Sequence, residues 1–207
     1  MEDRETAEHL KDLNKTIELD PKNYLAILER GLIYQERGEI EKCLQDYTQA
    51  IEAAKSNKDF AFKPYDYRAE AYMTFGMYEK ALDDYKTALS LAGTEFFNPA
   101  HSLNAYRIFL FRGHTYMKMG KYKEAAEDYT NAIAWELRPQ LKLSAYTFIK
   151  RAAAFEKLEE ILHAKEDYEM ALSLSPKEPE AALAKERLTA INKQIEEVME
   201  DQKRVRL

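Results

Sequence analysis

Small and aromatic residues recur along the chain at fixed intervals, against a background of charged positions. Gly31, Ala69, Gly113 and Ala152 are each followed three positions later by a ring, at Tyr34, Tyr72, Tyr116 and Phe155. A second set, Cys43, Ala81, Ala125 and Ala164, is followed four positions on by Tyr47, Tyr85, Tyr129 and Tyr168, and three further by Ala50, Ala88, Ala132 and Ala171. Steps of three and four line up on one face of an α-helix, so each block predicts two helices packed face to face. The small residue belongs where the axes cross, because close backbone approach admits little more than a methyl or thiol, and the ring one turn along fills the space that remains. Gly38, Gly76 and Gly120 fall between the helices of the first three blocks, where a left-handed residue ends a helix at little cost. The fourth block has Glu159 at that place, so its turn is expected to depart from the others.

The ends read differently. Residues from about Asp3 to Leu19 predict one helix with the stripe Leu10, Leu13 and Ile17, and its exit Leu19-Asp20-Pro21 is like the close of a second helix whose first is missing. It is expected to cap the first block; a longer array, or a partner covering the bare face, is the alternative. Asn23 is placed to cap the next helix, and Asn98-Pro99 and Arg138-Pro139 open the third and fourth blocks. Beyond Pro179, Ala184, Leu188, Ile191, Ile195 and Val198 recur in alternating steps of four and three, the stripe of an amphipathic helix. That helix is expected to seal the last block. It is longer than one block can cover, so a homodimer through its distal part is the alternative.

These markers resemble the tetratricopeptide repeat (TPR) family. The resemblance implies an all-α fold, a right-handed TPR α-solenoid of four helix-turn-helix repeats with an N-terminal half-repeat helix and a long C-terminal capping helix. On this reading residues 1–207 form a single domain, with the N-terminal helix at 1–21, repeats at 23–57, 60–93, 98–137 and 139–176, and the cap at 179–207. The small residues of successive repeats lie 38, 44 and 39 positions apart, against a family period of about 34. Lengthened helices or loops are therefore expected at the junctions, where Phe60, Phe62, Phe96, Phe97 and Trp135 gather. These rings either seal the extra turns or form a second interaction surface along that edge.

The family binds polypeptides in a concave groove lined by the first helices. By position, the groove residues here are Leu25, Leu28, Leu32 and Gln35, then Lys63, Asp66, Glu70 and Met73, then Arg107, Leu110, His114 and Met117, and last Tyr146, Ile149, Ala153 and Glu156. Apolar ends around a charged middle suit a peptide or helix of mixed character. A subclass of the family grips a C-terminal carboxylate with lysine, asparagine and arginine. The matching positions hold Leu28, Leu32, Tyr67, Arg107 and Phe111, of which only Arg107 offers a charge of the right sign, so a carboxylate-clamp co-chaperone is not expected. The resemblance implies a scaffold or adaptor; a dimeric, client-specific chaperone of the secretion type and the regulatory segment of a larger protein are the alternatives.

Composition narrows the field further. A net charge of −6 disfavours nucleic acid as the main partner, since phosphate binding needs a basic face. No apolar run is long enough to span a membrane, and the acidic start is unlike a signal peptide. The single cysteine, Cys43, excludes an intramolecular disulfide and agrees with a cytoplasmic location. His9, His101, His114 and His163 share no metal-ligand spacing, and no phosphate-binding glycine loop or nucleophile elbow is present, so neither cofactor, metal nor enzymatic activity is expected. Each block also carries Arg30, Arg68, Arg112 or Arg151 sixteen residues before Asp46, Asp84, Asp128 or Asp167. Fourfold recurrence points to ion pairs of the architecture rather than to catalysis.

Overall fold

The computed structural model describes residues 4–55, 60–92, 99–136, 144–174 and 179–205. These form ten α-helices and no strand: α1 (Arg4–Leu19), α2 (Tyr24–Glu36), α3 (Ile40–Ala54), α4 (Phe62–Thr74), α5 (Tyr78–Ala92), α6 (Pro99–Lys118), α7 (Tyr122–Glu136), α8 (Ala145–Lys157), α9 (Ile161–Leu174) and α10 (Pro179–Val205). The fold is all-α and of the helical-repeat solenoid class. The chain divides into two compact units, Met1–Thr115 and Tyr116–Leu207.

In the first unit α2 packs on α3 and α4 on α5, with α3 also against α4 and α1 against α2. The marker residues carry this packing. Cys43, Tyr47, Ala50, Ala69, Ala81, Tyr85 and Ala88 are all fully buried. A β-carbon on Gly31 would lie 2.6 Å from a ring carbon of Tyr47, so glycine is required by the ring stacked over it. Asn23 caps α2 by accepting the Ala26 N–H at 3.1 Å, as its position predicts. Leu13 and Ile17 of α1 are buried against α2 and its neighbours.

In the second unit α7 packs on α8, α8 on α9, and α10 on α9 and α8. Ala125, Tyr129, Ala132, Ala152, Ala164, Tyr168 and Ala171 repeat the same burial. Along α10, Ala184 and Ile191 are buried, Leu188 and Ile195 are half-buried, and Glu196 to Gln202 are all exposed. The proximal half therefore covers the last helix pair. The described part of the fourth block begins at Ala145, with Ser144 as its N-cap; Arg138, Pro139, Asn98 and Pro176 lie outside the described residues.

The turns hold one correction. Gly38, Gly76 and Gly120 have φ of 69°, 76° and 72°, and Glu159 adopts the same left-handed region at 61°. The bonds match too: Glu39 N–H to Tyr34 O (2.8 Å), Met77 to Tyr72 (2.8 Å), Lys121 to Tyr116 (2.9 Å) and Glu160 to Phe155 (2.9 Å). The fourth turn keeps the backbone of the others despite its residue, because the closing bond to the aromatic position's carbonyl and the packing of α8 on α9 impose it.

Candidate protein-binding surface

The arginine and aspartate of the first, second and fourth blocks bind as their spacing predicts. Arg30 donates through Nε and Nη2 to Asp46 at 2.8 and 2.7 Å, Arg68 to Asp84 at 2.7 and 2.9 Å, and Arg151 to Asp167 at 2.8 and 2.7 Å. The remaining Nη1 reaches the preceding second helix, to Asn14 Oδ1 (2.9 Å), Thr48 Oγ1 (3.0 Å) and Thr130 Oγ1 (3.1 Å) respectively. Bidentate, largely buried pairs of this kind fix geometry and commit three of each guanidinium's five N–H donors to the architecture.

The candidate groove residues of the first unit come from α2, α4 and α6. Leu28 and Leu110 are buried, Leu32, Gln35, Lys63, Met73 and His114 are half-buried, and Leu25 is 55% exposed. Gln35 accepts the Tyr47 hydroxyl at 2.9 Å, and the Lys63 ammonium lies 4.7 Å from the Phe60 ring centre. At the middle of this set Arg107 donates from Nη1 to Asp66 and from Nη2 to Glu70, joining α6 to α4. Its guanidinium also lies 5.0 Å from the ring centres of both Tyr67 and Phe111, and Tyr67 stacks on Tyr47 at 6.2 Å. Burial pulls the Arg107 guanidinium down to about 10 and pushes the Glu70 carboxyl up. One guanidinium thus faces two carboxyl groups. Asp66 is buried, and its Oδ1 has no hydrogen-bond partner among the described residues. The charges that the sequence counts one by one are largely committed to each other, and the rings Tyr67 and Phe111 that hold Arg107 were not among the groove candidates.

In the second unit Met117 and Tyr146 are half-buried and Ile149 is buried. The Lys150 ammonium lies 4.7 Å from the Tyr146 ring centre, and Ala153 is half-buried. Glu156 is bound by Arg187 of α10, at 3.0 Å to Nε and by a second, shorter bond to Nη2. Burial acts to raise the Glu156 carboxyl, but bonds from Arg187 and Tyr168 outweigh it and its pKa is lowered. Of the junction rings, Phe62 and Trp135 are buried and Phe60 is 40% exposed; Phe96 and Phe97 lie outside the described residues. Burial pushes the Cys43 thiol up to about 11, so it packs as a small apolar residue. Among the described residues no group of His, Cys, Asp or Glu is placed to hold a metal ion, and no helix is long and apolar enough to cross a membrane.

A model of the tetratricopeptide repeat matches residues 26–57, 67–95 and 106–138. No curated protein matches the chain significantly. Among solved structures, BtubC (BKLC) from P. vanneervenii is similar at TM-score 0.74 and 17% identity, over 98% of this chain and 88% of that one. The nearly identical TPR-like repeats from Podosopora anserina align at TM-score 0.68 and 17% identity, over 90% and 94%. The first TPR of Spaghetti (RPAP3), bound to the HSP90 peptide SRMEEVD, aligns at TM-score 0.50 and 23% identity, over 66% and 94%.

Proposed function

Because the chain belongs to the tetratricopeptide repeat family, whose repeats are protein-interaction scaffolds, we propose that it is a non-enzymatic adaptor that holds a peptide or helix of a partner against the first helices of its first unit. The observation that carries this reading is the patch of Asp66, Tyr67, Glu70, Arg107 and Phe111. It combines rings and ordered charges with one carboxylate oxygen left without a donor. A polypeptide supplies apolar side chains to lie over the half-buried rings of Tyr67 and Phe111 and over Leu25.

The mode differs from carboxylate capture. Leu28 is buried, Leu32 and Phe111 carry no charge, and Arg107 already has two carboxylates and two rings. A synthetic SRMEEVD peptide with a free C-terminus should therefore not bind. For the adaptor role itself, proteins retained by the immobilised chain from an extract are mapped to a binding peptide, and its affinity is measured against two variants. Leu25→Asp should weaken binding about tenfold or more, while Leu19→Asp, more exposed at 79% but outside the groove positions, should not. Equal effects of the two variants would refute the assignment. Exposure of Val198 and Met199 at the distal end of α10 favours self-association through that helix as a second reading; a monomer by sedimentation at all concentrations would dismiss it.

A further inference from the structure

The bonds that tie consecutive repeats give α1 a definite register. Arg68 reaches back to Thr48 and Arg151 to Thr130, each two residues after the aspartate of its second helix, Asp46 and Asp128. Arg30 reaches back in the same way to Asn14. Asn14 therefore occupies the Thr48 position, and Asp12 occupies the position of Asp46. Asp46, Asp84 and Asp167 are buried beneath a first helix that supplies a bidentate arginine. Asp12 is exposed, and among the described residues its carboxylate receives no hydrogen bond or ion pair. His9 and Thr16, which hold the Cys43 and Ala50 positions, are exposed as well. The face that a first helix covers on α3, α5 and α9 is open on α1.

Beside this face lies a cleft of about 360 Å³ with an apolar floor of Leu32 and Ile33 and the carboxylates of Glu5, Glu29 and Glu36 around it. His9 Nε2 meets Glu29 at 3.1 Å. Four carboxylates, with Asp12, and one imidazole make the surroundings acidic. We propose that this face docks a basic helix of a partner protein, seated as a first helix is seated in the complete repeats, with an arginine on Asp12. The geometry of the other three pairs specifies the occupant, since each aspartate at this register takes an arginine from the helix that lies across it. This surface meets the first-helix groove at Leu32, while His9, Asp12 and Thr16 lie outside the groove positions.

The test titrates a fluorescent peptide with the sequence of residues 144–158 into the full chain. That segment carries Lys150, Arg151 and Lys157 against Glu156, and it already serves as the first helix over α9. Saturable binding is expected, weakened roughly tenfold by Asp12→Asn and equally by Arg151→Met in the peptide, with the two changes together costing no more than one alone. Because Asp12 is exposed, the variant should melt as the parent does. Absence of saturable binding, or binding that Asp12→Asn leaves intact, would overturn the proposal. A dimer of the chain alone that Asp12→Asn dissociates would assign the face to a second copy and overturn it too. So would loss of peptide binding on Leu25→Asp alone, which places the peptide in the groove.

Discussion

Glu159 holds a left-handed backbone conformation that glycine holds in the three equivalent turns. A side chain in that region costs about 1–2 kcal/mol per residue from crowding of Cβ against the following carbonyl. Replacing it with glycine removes that cost but gives the unfolded chain more freedom, a penalty of roughly 0.5–1 kcal/mol. The net for Glu159→Gly is a gain of about 0.5–1 kcal/mol. If the chain melts as one body this raises Tm by about 2–4 °C at most, and by about 4–8 °C if the second unit melts alone. Calorimetry and urea titration of Glu159→Gly, Glu159→Asn and Glu159→Ala read the effect. The expected order of stability is Gly, then Asn, then Ala close to Glu, because alanine shares the Cβ and asparagine tolerates the region better. Gly38→Ala is the mirror control: an added Cβ there meets no atom within 4 Å, so any loss comes from backbone strain alone. Were Glu159→Ala to stabilise as much as Glu159→Gly, the side chain and not the backbone would be responsible, and the reasoning would fail.

Two further outcomes follow from the packing and the charges. Gly31→Ala places a methyl 2.6 Å from the Tyr47 ring and should cost about 1–3 kcal/mol in urea denaturation, whereas an unchanged midpoint would mean that the ring moves aside freely. Glu156 has a lowered pKa, so its contribution is present above the unfolded value of about 4.3 and is lost as pH falls through the folded one. Glu156→Gln should therefore be less stable than the parent by about 1 kcal/mol at pH 7, a modest figure because Arg187 is partly exposed. The difference should narrow as pH falls below about 4.3 toward the lowered folded value, and one that does not narrow there would contradict the ion-pair account.

Much of the fold was legible because helix pairing is a short-range problem. Residues three and four apart share a face whatever lies beyond, so Gly31 with Tyr34, or Ala81 with Tyr85 and Ala88, announce a packed pair from spacing alone. The Arg30–Asp46 type of pair was equally legible, since one recurrence appears four times at the same separation. The fourth turn was not, because Glu159 has no intrinsic preference for a left-handed conformation and takes it only under the tertiary packing of α8 on α9. The candidate surface was legible by position and not by state. Arg107 lies 41 and 37 residues from the carboxylates it holds, and nothing in local periodicity says that Asp66 and Glu70 are already taken. The same holds for the groove candidate Glu156, whose partner Arg187 comes from a helix 31 residues away. The equivalence of Asp12 to Asp46 becomes visible only through the bond from Arg30 to Asn14.

The central claim, that the first helices of the first unit hold a polypeptide, is tested most directly by placing a photo-crosslinking amino acid at position 25 of α2, with one at exposed Lys86 of α5 as the comparison. Illumination in an extract should yield a crosslinked partner peptide from position 25 that excess unlabelled chain competes away, and little from position 86. Equal crosslinking at both positions, or a competed partner only at position 86, would contradict it.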